Sequence, residues 1–334
     1  MEEVEGSQFR QSLPMIGTAL AYVLLGTLLG FAFTAAWFRN VSATDPGEKF
    51  EVHGEGKLTN PLLLCDQQED YISSAIVPFK PEIDNYISKA QDGQQVTEIS
   101  YYFRELKTGY WITVEANRDY SPASLLKVPL YMTIAKLAEK DPGLWDRTLM
   151  YQPPTTPVAQ NYAPDVTPLT VGENYTVKEL ANRLILESDN GPLELLATEF
   201  GEEQDVLNDL YKLVGVTLPN QDQDFITVGQ YAIFFRLLYN ASFLSQESSE
   251  FVLEKLTKTH FDNGIRAGVP EGVTVAHKFG ERKTEDYMQL HDCGIVYHPN
   301  SPYLVCIMTR GNDFSAMEKV IASLSQLTWD NISQ

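Results

Sequence analysis

Residues 121–129 read Ser-Pro-Ala-Ser124-Leu-Leu-Lys127-Val-Pro. The spacing predicts a helix start at about Ala123, and residues three apart lie on one helical face, so the Ser124 hydroxyl and the Lys127 amine share it. A lysine stripped of water beside a serine can lose its own proton and then accept the serine's, turning a weak nucleophile into an effective one. The positive end of the helix dipole would favour an oxyanion formed there. Alone the spacing says little, since average composition yields on the order of one Ser-x-x-Lys by chance in a chain of this length. The other reading is a serine that begins a helix and a lysine in solvent.

Two further stretches give the spacing its meaning. Ser188-Asp189-Asn190 lies between the apolar helical runs Val177 to Leu186 and Leu193 to Phe200, and so reads as a loop presenting a hydroxyl and an amide to one cleft. Val273-Thr-Val-Ala-His-Lys278-Phe279-Gly280 alternates like a strand and ends in a lysine and a glycine, an edge along which an extended substrate could pair. In this order the three resemble the Ser-x-x-Lys, Ser-Asp-Asn and Lys-Thr-Gly motifs of the penicillin-recognising serine hydrolases, in particular the class A β-lactamases. The resemblance runs from about Asn60 to the C-terminus. A literal Lys107-Thr108-Gly109 precedes the nucleophile and separates two strand-like runs, Ile99 to Phe103 and Tyr110 to Val114, so it is expected to be a hairpin turn.

The resemblance implies roles. Ser124 would be the nucleophile and Lys127 its base; Ser188 would relay a proton to the leaving nitrogen, and Lys278 would supply positive charge. Asn190, Phe279, Gly280 and Glu281 would line the substrate site, the backbone N–H groups of Ser124 and Glu281 forming the oxyanion hole. Asp189 is expected to hold its own loop. Neither a cofactor nor a metal is implied, the five histidines being scattered and the three cysteines lacking metal-ligand spacing.

Two departures stand out. Phe279 replaces the small hydroxyl residue of the third motif and cannot donate a hydrogen bond to a substrate carboxylate; Arg282, Lys283 or Arg310 are the candidates to compensate. The glutamate that activates the deacylating water in class A enzymes has no counterpart: Glu202, Glu203, Asp205, Asp209 and Asp222 are available, but in no Glu-x-x-Leu-Asn pattern. Acylation is thus better provided for than turnover.

The implied substrate is a β-lactam or peptidoglycan-type amide. The same residues would serve a D,D-peptidase or transpeptidase, or a sensor that is acylated without turnover. A net charge of -20 argues against nucleic acid as a partner.

Two strands, a long helical stretch, three strands (Val273 to Phe279, Leu290 to Tyr297, Tyr303 to Thr309) and a final helix predict an α+β fold. Its antiparallel sheet is built from both ends of the domain, with a helical lobe inserted between them. Met15 to Phe38 carries no charged residue and is long enough to cross a bilayer. The expected organisation is therefore a short tail over 1–14, a transmembrane anchor over 15–38, a linker over 39–59 and the hydrolase domain over 60–334, outside the cytoplasm. A cleaved secretory signal ending near Thr34-Ala35-Ala36 is the competing reading. Cys293 and Cys306 face each other across the expected hairpin at Pro299 to Pro302, as a disulfide or, on the reading the strain of bridging adjacent strands favours, as two buried thiols.

Overall fold

The computed structural model describes residues 56–60, 79–155, 160–162, 165–201, 204–217, 223–299 and 301–333. The expected anchor over 15–38, and all of the linker up to residue 55, lie outside the described residues. Among the described residues no helix is long and apolar enough to cross a membrane.

The chain opens with α1 (Phe79–Asp92), followed by β1 (Val96–Glu105) and β2 (Trp111–Val114). Near the C-terminus come β7 (Val275–Lys283), β8 (Met288–Val296), β9 (Tyr303–Gly311) and α8 (Phe314–Ile332). These five strands form one antiparallel sheet in the order β2-β1-β9-β8-β7, so both ends of the domain build it, as the strand pattern predicts. Lys107-Thr108-Gly109 is the β1–β2 turn. Gly109 N bonds Glu105 O at 3.0 Å with Gly109 at φ 81°, a backbone region glycine enters without steric cost.

The lobe between β2 and β7 contains β3 (Asp119–Tyr120), a 3₁₀ turn (Ala123–Leu126), α2 (Lys127–Lys140), β4 (Thr148–Met150), β5 (Asn174–Thr176), α3 (Val177–Leu186), α4 (Leu193–Gly201), α5 (Gln204–Leu213), β6 (Ile226–Thr227), α6 (Val228–Tyr239) and α7 (Gln246–Leu256). Pro129 is tolerated in α2 because it sits in the first turn, where backbone N–H groups have no intrahelical acceptor. A reciprocal Thr176–Glu179 capping box starts α3 and so fixes where the helix begins below the Ser188 loop.

Strand alternation divides the apolar residues between two cores. Ala276, Cys293, Ile295, Leu304, Cys306 and Met308 pack with the lobe helices, while Val275, Phe279, Leu290, Val305 and Ile307 pack with α1 and α8. Lys278 is paired in register with Cys293, and Cys293 with Cys306. Cys293 and Cys306 are joined as a disulfide, which replaces the expectation of two buried thiols. Their Cα atoms lie 4.0 Å apart across the ladder, so adjacent strands do bring the sulfurs together.

Candidate active site

The fold gathers Ser124, Lys127, Ser188, Asn190, Lys278 and Glu281, which lie far apart in sequence. Ser124 stands in the 3₁₀ turn, directly after Ala123 at φ 49°, a left-handed conformation that costs a non-glycine residue energy. The turn is pinned by buried bonds: Leu125 N to Pro122 O at 2.9 Å, and Tyr231 Oη to Leu125 O at 2.9 Å. Gly280 of β7 lies against the same turn. A Cβ there would sit 2.7 Å from Pro122 O and 3.0 Å from Leu125 N, so the close approach of strand to turn requires glycine.

Lys127 opens α2 with its side chain fully buried. Its Nζ donates to Ser188 O at 2.5 Å, to Asn190 Oδ1 at 2.7 Å and to Ser188 Oγ at 3.3 Å. The sequence spacing points the amine at Ser124; the structure turns it onto the Ser188–Asn190 loop. Burial lowers its pKa to about 7, against the opposing pull of the Asp189 and Glu281 carboxylates.

Lys278 is equally buried and donates to Ser188 Oγ at 2.8 Å and to Phe279 O at 2.8 Å. Burial, and then the neighbouring Lys127, push its pKa well down. Ser188, 1% exposed and at φ 53°, therefore holds its hydroxyl between two amines. Asp189 holds the loop, as expected: Arg183 Nε bonds Oδ2 at 2.9 Å and Gly191 N bonds Oδ1 at 2.8 Å.

The Phe279 ring is buried, stacked on Phe261 at 4.2 Å between centroids and met edge-on by Tyr162. It also serves Lys278, through its carbonyl and through a ring centroid 4.2 Å from the ammonium. The cations expected to compensate are occupied. Asp224 pairs with Arg310 and lies 3.7 Å from Arg282, and Arg310 also bonds Glu98 at 3.0 Å. Lys283 is exposed at the end of β7.

Three contacts were not legible in the sequence. His291, fully buried and paired in register with Gly280, places Nε2 3.1 Å from Ser121 O while its Nδ1 accepts from Thr309 N at 3.2 Å. That acceptor role puts the ring proton on Nε2, which donates to the strand leading into the Ser124 turn. Burial lowers the ring's pKa to about 4, which keeps it neutral. Gln160 Nε2 donates to Ser188 O at 2.9 Å, and the Glu281 carboxylate accepts from Asn161 N and Tyr162 N, both at 2.9 Å. Residues 160–162 thus touch both walls of the cleft. Burial raises the pKa of Glu281. Among the described residues no cluster of His, Cys, Asp or Glu could hold a metal ion.

Residues 78–332 match the beta-lactamase enzyme family. The chain belongs to that family. A curated beta-lactamase from Bacillus licheniformis is 26% identical over 167 residues, covering 46% of this chain; the chain spans about half the length (53%) of that relative. Among solved structures, PBP-A is 20% identical with a TM-score of 0.65, over 77% of this chain and 97% of its own. The class A beta-lactamase from Mycobacterium abscessus is 20% identical with a TM-score of 0.63, over 77% and 100%. Within this beta-lactamase-family fold, α5 ends at Leu213 and β6 begins at Ile226, and no glutamate occurs anywhere between Glu203 and Glu247. The acidic residue described in that connection, Asp224, is taken up by Arg310 and by Gln289 Nε2 at 3.0 Å.

Proposed function

We propose that the protein is a serine hydrolase of the beta-lactamase type that opens an amide through an acyl-Ser124 intermediate and releases the acyl group slowly. The observation that carries this reading is the Ser188 hydroxyl held between Lys127 Nζ at 3.3 Å and Lys278 Nζ at 2.8 Å. With a pKa near 7, Lys127 is partly neutral at neutral pH. A neutral amine keeps a lone pair, and its remaining N–H groups satisfy Ser188 O and Asn190 Oδ1. In the acylation step Ser124 Oγ bonds to the carbonyl carbon and its proton passes to Lys127. As the C–N bond breaks, the nitrogen takes its proton from the Ser188 hydroxyl, which is resupplied from Lys127. Lys278 fixes the rotor of that hydroxyl by donating to its oxygen. The oxyanion would be received by the backbone N–H groups of Ser124 and Glu281.

A peptidase acting on peptidoglycan stems is the second reading, favoured by the short, glutamate-free connection from Leu213 to Ile226. Both readings place the site outside the cytoplasm, with the uncharged run from Met15 to Phe38 as the anchor. An intact-mass time course with benzylpenicillin tests the proposal. An adduct on the wild-type protein, absent from Ser124→Ala, supports it, and labelling of Ser124→Ala refutes it. With no glutamate base, hydrolysis of the adduct should be about 10²–10⁴-fold slower than with one. An adduct that clears within seconds would show that another group activates water.

A further inference from the structure

Among the described residues, the cations near the cleft already have partners within the protein. Lys127 Nζ meets Ser188 O and Asn190 Oδ1, with Ser188 Oγ 3.3 Å away. Lys278 Nζ donates to Ser188 Oγ and Phe279 O, with its charge over the Phe279 ring. Both lysines are fully buried. Arg183 is paired with Asp189, while Arg282 and Arg310 converge on Asp224. Lys283 is five residues past Lys278 along β7, roughly 16 Å at the rise of a strand.

Directly after Gly280 this edge carries an acid. Glu281 is half-buried and close enough to both Lys127 and Lys278 to act on their charges. It draws the N–H groups of Asn161 and Tyr162, donors that could otherwise have met an anion. The net charge of -20 acts in the same direction at long range.

Resting on the acyl-Ser124 reading, we infer that this cleft selects amides whose leaving-group side bears no carboxylate, and that Glu281 is the residue that sets this preference. A carboxylate brought to the β7 edge would lose its water without gaining a cation, and would face Glu281. A neutral ester or amide loses nothing comparable.

The test uses one scaffold in two charge states. The second-order acylation rate constant of the full-length protein in detergent is measured with benzylpenicillin and with its methyl ester, each divided by the rate constant for hydroxide-catalysed opening of the same ring. We expect the ester to exceed the free acid by about tenfold or more after that correction. Glu281→Gln, which keeps an acceptor for the 161–162 backbone, should narrow the ratio at least threefold by raising the free-acid rate. A free acid that reacts as fast as the ester overturns this inference while leaving the acyl-enzyme reading intact. Absence of any Ser124 adduct with either compound overturns both. Should Glu281→Gln fail to fold, the wild-type ratio decides alone.

Discussion

The Ser188–Asn190 loop and the connection from Leu213 to Ile226 both belong to the helical lobe, and both lead to the Ser124 turn: the first through Lys127, the second through Phe225 N, which bonds Tyr120 O at 3.0 Å. They are furnished very differently. The first is dense with buried polar contacts, two lysines meeting one hydroxyl. Among its described residues the second offers one acid, Asp224, paired with Arg310. Forming an acyl-enzyme needs a base and a proton relay at the serine; discharging it needs a further base for water. One loop supplies the first requirement, and nothing described in the other supplies the second. The difference teaches that, on the proposed reading, the two halves of a hydrolytic cycle draw on separate segments of one fold.

The sharpest way to break this contrast is to remove the base from the furnished side. Lys127→Met keeps the length and apolar stem of the side chain but leaves Ser188 O and Asn190 Oδ1 without their donor. Acylation by the methyl ester should fall about 10²–10⁴-fold, the range for loss of a general base. Thermal unfolding should change little, because relief of the amine's desolvation cost is offset by the acceptors left unpaired. A drop of less than tenfold in the acylation rate would move the base role away from Lys127.

A pH profile sharpens the same point without mutation. Lys127 is held at about 7 against an ordinary 10.5, so acylation should decline as pH falls below 7, approaching tenfold per pH unit. Stability has the corresponding sign. Between about 7 and 10.5 the unfolded chain keeps this proton and the folded one has released it, so the contribution of Lys127 to stability rises with pH across that window. A flat acylation profile from pH 5 to 8 would count against a neutral Lys127 as the acceptor.

How much of this was legible in the sequence follows from the range of each interaction. The strands and helices carried local periodicity, and Val177 to Leu186 emerges as α3 with those bounds. The Lys107-Thr108-Gly109 turn could be separated from the true third motif by its flanking strands. The partners of Lys127 could not be read, because Ser188 and Asn190 are more than sixty residues away and only the packing of α2 against α3 decides where the amine points. His291 looked like one more scattered histidine. Its meaning depends on strand register, which sets it beside Gly280, and on the crossing that brings Ser121 O within reach. The surroundings of Phe279 were hidden for a related reason: the aromatic cluster that holds its ring draws Phe261 and Tyr162 from distant parts of the chain.

His291 yields a smaller, separable effect. His291→Leu removes the donor to Ser121 O and should slow acylation about tenfold, consistent with losing one buried hydrogen bond of about 1–2 kcal/mol. The apparent dissociation constant of the complex before acylation should stay within about twofold if the bond orients the serine and not the substrate. His291→Gln can still donate and should recover part of the rate. Equal slowing in both variants would make the residue a packing element only.

The disulfide gives the smallest expected effect on chemistry. Cys293 lies beside Lys278 in the ladder, next to the site. Yet Lys278 is held by Ser188 Oγ and by Phe279 O, neither of which involves the bridge, and β8 and β9 remain paired along nine register positions without it. What the bridge constrains is the unfolded chain, where closing a loop of 13 residues is worth about 3 kcal/mol on the chain-entropy account. A Cys293→Ala/Cys306→Ala double variant should therefore unfold at a denaturant midpoint lowered by about that free energy, while its acylation rate per folded molecule stays within about twofold of wild type. A larger loss of rate would mean that the position of Lys278 depends on the sheet beneath it as much as on the loop above, and the contrast between the two loops would then have to include the strand that faces them.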